Sequence, residues 1–320
     1  MNTSSAHLPR LARRILPLCS LALLAPSAAF AWNDFGHRVA AAAAWPHLSP
    51  GVRAEATELL KLNPDYARWV AGVPAGQRAR VAFVDAAAWA DDIKSDGRHV
   101  YDGDRPRGPD AARNIGYSDP LEHRYWHFID LPFSTDHTPL RPPARPNIET
   151  ELRLMLRTLR SPSATAALKS YDLTWVEHLV GDAHQPLHAV SRFTRSQPEG
   201  DAGGNRVAIC DPPCRKNLHE FWDEILGRGR GPYAAIRYAA DLPAVPAAEA
   251  HVASPRLWLD GSRRIAERYV YAPPVGDGAG PYRLDARYRR TALEVARRQI
   301  ALAGARLAWV LNRDLSPSVR

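Results

Sequence analysis

The chain has 320 residues, of which 45% are hydrophobic, 24% charged and 8% aromatic, and it carries a formal charge of +8. That balance excludes low-complexity, collagen-like and polytopic membrane proteins and leaves room for one large domain or two ordinary ones with an ample core. The positive surplus suits an anionic partner, but it is spread along the chain and does not by itself single out nucleic acid.

From the N-terminus, Arg10, Arg13 and Arg14 precede an apolar run over 15–24, too short to span a bilayer comfortably. Ala29-Phe30-Ala31 then has the small-x-small pattern of a cleavage site. Residues 1–31 are therefore expected to be a secretory signal peptide, the alternative being an uncleaved anchor. Arg13-Arg14 lacks the surroundings of a twin-arginine signal. Cleavage leaves 289 residues beginning at Trp32, charge +5 and no membrane anchor, exported to the periplasm or secreted. Cys19 leaves with the leader. The remaining Cys210 and Cys214 are expected to form one short-loop disulfide outside the cytoplasm. The other reading, a pair of metal-binding thiolates, is weaker because two cysteines cannot complete a structural zinc site.

Helical periodicity then dominates. Helices are expected over 36–45, over 52–62 up to Asn63-Pro64, and over the alanine-rich 80–92. Residues 95–119 mix Gly, Pro, Asp and Arg without period and read as a long surface loop. Further helices are expected from Asn147 through Arg160, over 173–183, over 218–226 before Gly227, and from about 286 to 312, where Leu293, Ala296, Ile300, Ala303, Leu307 and Val310 mark a buried stripe. Gly203-Gly204-Asn205 followed by Val207-Ala208-Ile209 reads as a turn into a short extended piece. There is no internal repeat and no strand–helix alternation, which argues for one mainly α domain over 32–320.

Histidines and aspartates punctuate these helices. His178 and Asp182 are four residues apart, as are His219 and Asp223, so each pair shares a helix face. Pro186 lets the chain turn back so that His188 can approach the same place. His127 lies in the aromatic run 125–130, Asp91 follows Trp89-Ala90, and His37 lies five residues after Trp32. A single His-x-x-x-Asp pair is more often a surface ion pair. Two pairs in apolar segments need compensation for burial, which a divalent metal supplies. Imidazole and carboxylate with little thiolate suit zinc in a catalytic role.

Several segments carry a specific resemblance: Trp32-Asn33-Asp34-Phe35-Gly36-His37, Ala88-Trp89-Ala90-Asp91, Trp126-His127-Phe128-Ile129-Asp130, the run from His178 to His188, Gly203-Gly204-Asn205, Asn217-Leu218-His219-Glu220-Phe221-Trp222-Asp223 and, near the end, Ala303-Gly304-Ala305-Arg306-Leu307-Ala308. With these the chain resembles the secreted zinc-dependent nucleases that prefer single strands and act as 3′-nucleotidases, the nuclease S-one and P-one type. That family shares its fold with zinc-dependent phospholipase C. The matches occur in family order and cover essentially all of 32–320.

The resemblance implies a single compact helical domain holding three Zn2+ ions. Asp91, His127, His178 and Asp182 would take the first, and His188, His219 and Asp223 the second. His37, Asp182 and the amino nitrogen and carbonyl oxygen of Trp32 would take the third. It further implies hydrolysis of single-stranded DNA and RNA, and of 3′-nucleotides, by a metal-bridging hydroxide oriented by Asp91, with 5′-phosphate products. Lys94 stands where the family commonly has arginine. It would meet a phosphate oxygen without a bidentate fork, the alternative being a solvated surface lysine. Phe128 would stack on a base, its alternative being core filler, and Asp130 would accept hydrogen bonds from that base. His184 and the surface or loop histidines His47, His99, His123, His137 and His251 are not expected to be ligands. A monomer is expected, without N-glycosylation, since 32–320 holds no Asn-x-Ser/Thr sequon. The rival readings are a zinc phospholipase C and a non-catalytic exported protein that binds nucleic acid or zinc.

Overall fold

The computed structural model describes Met1 and residues 32–210, 212–228 and 231–315. Of the expected signal peptide, 1–31, residues 2–31 lie outside the described residues. In chain order the helices are α1 (Asp34–Ala44), α2 (Pro50–Leu60), the short α3 (Tyr66–Trp69), α4 (Arg78–Ala86) and α5 (Trp89–Asp92). After an interval of turns and loops over 93–131 comes the strand β1 (Pro132–Ser134), then α6 (Ile148–Arg160), α7 (Ala166–Asp182) and β2 (Ser191–Phe193). The hairpin of β3 (Ala208–Ile209) and β4 (Lys216–Asn217) leads into α8 (Leu218–Asp223), followed by α9 (Pro232–Ala240), α10 (Ala247–Ala250), α11 (Pro255–Ile265) and α12 (Ala286–Asp314). The fold is mainly α. Among the described residues, strand is confined to the β3–β4 hairpin and to β1, which pairs parallel with β2 in the register Phe133 to Arg192. Among the described residues no helix is long and apolar enough to cross a membrane.

Local chemistry explains most boundaries. Asn147 caps α6 reciprocally with Thr150, each side chain meeting the other residue's backbone N–H. Thr165 caps α7 by accepting from Leu168 N, so this helix begins seven residues before the periodic stretch does. From Ser170 to Asp182 every residue of α7 is buried, which makes it the central helix. It packs against α6, α2 and α12, and α1 lies along α12 and α9.

Three expectations need correction. The continuous helix over 80–92 is two helices, because the chain breaks at Ala87-Ala88 and Asp91 N donates to Ala88 O rather than to Ala87 O. The helix over 218–226 ends at Asp223, with Gly227 N closing a turn onto Glu224 O. The loop 95–119 is not wholly superficial: it holds single 3-10 turns at Pro109–Ala112 and Gly116–Ser118, and it buries Ala111, whose carbonyl accepts from the Trp126 indole. The stretch 232–265, to which periodicity assigned no boundaries, forms α9, α10 and α11.

Among the described residues, two apolar clusters make up the interior. The larger holds Trp89, Trp126 and Trp175 with residues of α1, α2, α6, α7 and α12. The smaller gathers Leu187, Val207, Leu218 and Trp222. Cys210 and Cys214 are joined by a disulfide at the tip of the β3–β4 hairpin.

Candidate metal centre

α7 sets the geometry. His178 and Asp182, one turn apart, point from it toward α1, α5 and the turn that ends at His127. Asp182 Oδ2 lies 3.0 Å from His127 Nδ1 and 3.2 Å from His178 Nε2. Its Oδ1 lies 3.4 Å from His37 Nε2 and 3.6 Å from His188 Nδ1. Asp91 Oδ1 is 3.8 Å from His178 Nε2 and 4.0 Å from His127 Nδ1. In the second cluster His188 Nε2 and His219 Nε2 are 3.1 Å apart, and Asp223 Oδ2 is 3.5 Å from the latter. Every one of these side chains is buried.

Close fits hold the rings in place. His37 stacks on His178, with ring centroids 3.7 Å apart. Gly181 of α7 admits this, since a Cβ there would lie 2.7 Å from His37 Nδ1. Trp32 is fully buried, and its indole N–H donates to Gly181 O at 3.1 Å. Gly203, at φ +60°, brings its carbonyl to His219 Nδ1 at 2.7 Å, and a Cβ would strike Leu187 O there.

The donor chemistry fits divalent cations. A carbonyl only accepts, so a ring nitrogen facing one must carry the proton. His178 Nδ1 donates to Ala87 O at 2.8 Å, His188 Nδ1 to His127 O at 2.8 Å, and His219 Nδ1 to Gly203 O. Wherever such a ring is neutral, its Nε2 carries the lone pair that a cation can take. Carbonyls that fix histidines this way are the usual support of metal ligands. Nε2 of His188 and Nε2 of His219 face each other at 3.1 Å, and with both Nδ1 atoms donating to carbonyls the pair needs a cation between them, a metal ion or a proton. Both ring nitrogens of His37, Nε2 of His127, Oδ1 of Asp182 and Oδ2 of Asp91 are buried without a hydrogen bond. Orphaned polar atoms on this scale are costly unless a ligand satisfies them. Three groups could each hold an ion: Asp91 with His127 and His178, His37 with His178 and Asp182, and His188 with His219 and Asp223.

Electrostatics follow the same division. Burial opposes ionisation of Asp91 and Asp182, yet Lys94 and His178 for Asp91, and four histidines for Asp182, outweigh it and hold both carboxyls below their ordinary range. Burial, aided by the Lys94 ammonium, pushes His127 down to about 3. Asp223 is driven the other way by burial, against the hydrogen bond that Gln185 donates at 2.6 Å.

Lys94 is not a solvated surface lysine. Its ammonium is buried and bonds Asp91 Oδ1 at 2.5 Å. Phe128 is partly buried and packs on the larger core while lining a cleft beside the cluster. Asp130 lines the same cleft, and burial, with Asp201 adding to it, raises it to about 6. His123, expected at the surface, is fully buried. A left-handed backbone at φ +49° lays its ring flat on Trp126 at 3.6 Å, with Nε2 3.0 Å from Asp119. His184 is buried too, and it bonds Val180 O and Arg306 rather than the cluster. Sequence reasoning did not single out Gln185, Gly181 or the carbonyls of Ala87 and His127. Gln185 alone had a signal, its place in the run 184–188 between two histidines.

A family model described as S1/P1 Nuclease matches residues 32–316. The chain is 28% identical over 165 residues to Endonuclease 3 of Arabidopsis thaliana, covering 45% of this chain and 51% of that protein. It is 30% identical over 166 residues to Endonuclease 5 of the same plant, with 45% and 51% covered. To Nuclease S1 of Aspergillus oryzae it is 25% identical over 217 residues, with 66% and 59% covered. The chain thus spans between half and three-fifths of the length of these relatives.

Proposed function

The chain belongs to the S1/P1 nuclease family, and from that footing we propose that residues 32–320, freed of a leader ending at Ala31, form a secreted nuclease that uses three Zn2+ ions. Its substrates are single-stranded DNA and RNA, cut to 5′-phosphate products, and 3′-nucleotides. The observation that carries the metal reading is the pair of facing Nε2 atoms of His188 and His219, each fixed by a carbonyl behind it.

Asp91, His127, His178 and Asp182 would hold the first ion, His188, His219 and Asp223 the second, and His37, Asp182 and the main chain of Trp32 the third. Bound there, the ions supply Lewis acidity, which brings the pKa of water toward neutrality and offsets charge on the phosphate. The protein's own groups do the rest. Asp91, with Oδ1 anchored by Lys94 and Oδ2 unbonded, accepts a hydrogen bond from the attacking water and fixes its direction. The Lys94 ammonium beside it offers a point charge to a phosphate oxygen. Phe128 presents a ring face to a base and Asp130 accepts from that base's N–H groups. A paired base must first leave its duplex to reach this platform, which gives the single-strand preference.

The test is metal analysis of mature protein with a sequenced N-terminus. Activity is measured in parallel on single-stranded DNA and phosphatidylcholine, before and after chelation. Three zinc equivalents and chelator-sensitive cleavage of DNA are expected. Cleavage of the phospholipid alone, or zinc without turnover, would overturn the reading. A variant with one extra residue before Trp32 is expected to bind less zinc, because its α-amino group is displaced.

A further inference from the structure

The cleft that Phe128 and Asp130 line has a volume of about 150 Å³, and none of the nine residues assigned above to the ions lines it. It therefore extends from Phe128 away from the cluster. Two guanidiniums reach it from different segments: Arg105 from the loop over 95–119, and Arg206 from the turn that begins at Gly203, whose carbonyl holds His219. Both are exposed and both act electrostatically on Asp130. A third, Arg141, is already engaged through both terminal nitrogens by Glu199. Arg105 makes no hydrogen bond or ion pair with a described residue. Arg206 commits only Nη1, to Gly200 O at 2.9 Å. The other acid on this rim, Asp104, faces Tyr101.

On a ribose the 3′ oxygen and the 5′ carbon leave opposite faces of the ring, so a nucleoside stacked on Phe128 with its 3′-phosphate toward the cluster can extend its 5′ carbon toward Arg105 and Arg206. We propose that Arg105 and Arg206 form a second phosphate subsite that takes the 5′-phosphate of that nucleoside. A nucleoside 3′,5′-bisphosphate is then a better small substrate than a nucleoside 3′-monophosphate, and an oligonucleotide is gripped one phosphate upstream of the bond that is cut. The proposal rests on the function stated above. Guanidinium suits the task because its planar fork meets phosphate oxygens in pairs and keeps its charge at any working pH.

The experiment compares adenosine 3′-monophosphate with adenosine 3′,5′-bisphosphate as substrates of the zinc-loaded mature protein. It follows 3′-phosphate release in wild type and in Arg105→Ala, Arg206→Ala and Arg105→Lys. In wild type the bisphosphate is expected to have about a tenfold higher kcat/KM, expressed in KM, with a steeper rise of KM on adding salt. Arg105→Ala and Arg206→Ala are expected to abolish that advantage while leaving KM for the monophosphate within about twofold. Arg105→Lys is expected to keep part of it. Arg105→Ala is the cleaner variant, since Arg206 also supports the backbone at Gly200. A wild type active on the monophosphate yet indifferent to the added phosphate overturns the subsite alone, as do variants that weaken both substrates alike. A wild type that releases phosphate from neither overturns the function and the subsite together.

Discussion

Gly181 is the residue at which the smallest chemical change reaches the cluster. A methyl group there would sit 2.7 Å from His37 Nδ1 and 3.1 Å from Cε1, and the stacked ring of His178 leaves His37 no retreat. Gly181→Ala is expected to cost about 1–3 kcal/mol by overpacking and to lower metal content. Differential scanning calorimetry with metal analysis reads both, and unchanged metal occupancy would contradict the role given to His37. Lys94 makes a second case. With a chelator present it is the cation bonded to Asp91, and breaking a buried ion pair costs about 3–5 kcal/mol. Lys94→Met is therefore expected to destabilise chelated protein much more than zinc-loaded protein, where bound ions offset the Asp91 charge as well. Equal losses in the two unfolding curves would refute this. At this scale the sequence was informative where side chains recur at helical spacing, as in His178 with Asp182 and His219 with Asp223. It was silent about the carbonyls of Ala87, His127 and Gly203, because every residue has a carbonyl and only the fold decides which one meets a ring.

At the scale of elements, α6 and α7 bury acids that have nothing to do with the cluster. Glu151 on α6 is raised to about 7 by burial, against one hydrogen bond from Thr150, and Asp172 on α7 is raised likewise. The sign follows from proton counting. Between the ordinary glutamate value of 4.5 and about 7 the folded chain keeps a proton that the unfolded chain has lost, so stability falls as pH rises through that window. Glu151→Gln keeps the oxygen that accepts from Thr150 and removes the titration. The variant is expected to match wild type near pH 4 and to exceed it by about 1–3 kcal/mol at pH 8, read from urea midpoints. A parallel pair of pH profiles would overturn this. Element boundaries were legible where a cap marks them, as Asn147 does for α6. They were hidden in the alanine-rich run, where either one helix or two satisfies the pattern. The break at Ala87-Ala88 is a tertiary choice that frees the Ala87 carbonyl for His178.

For the whole molecule, the mainly helical class followed from periodicity, whereas the β1–β2 pairing did not. Strands of three residues carry too little pattern to read, and their partners lie far apart in the chain. The residues assigned to the ions come from Trp32, α1, α5, the turn at His127, α7, the turn at His188 and α8, so bound ions tie distant segments together. Chelation is accordingly expected to lower the Tm by on the order of 10 °C, since ligands that bind only the folded chain stabilise it by mass action. A melting curve that ignores the chelator would argue against a shared multinuclear centre.

α12 supplies none of those residues, yet it lies along α1, reaches the end of α7 through Gln299 and His184 O, and packs so tightly that a Cβ on Gly304 would strike Ala40 O at 2.8 Å. It is also the last of the described helices and follows every residue assigned to the ions. A truncation that removes α12 would therefore leave every residue assigned to the ions in the chain and yet strip α1 of the support that holds His37 against His178.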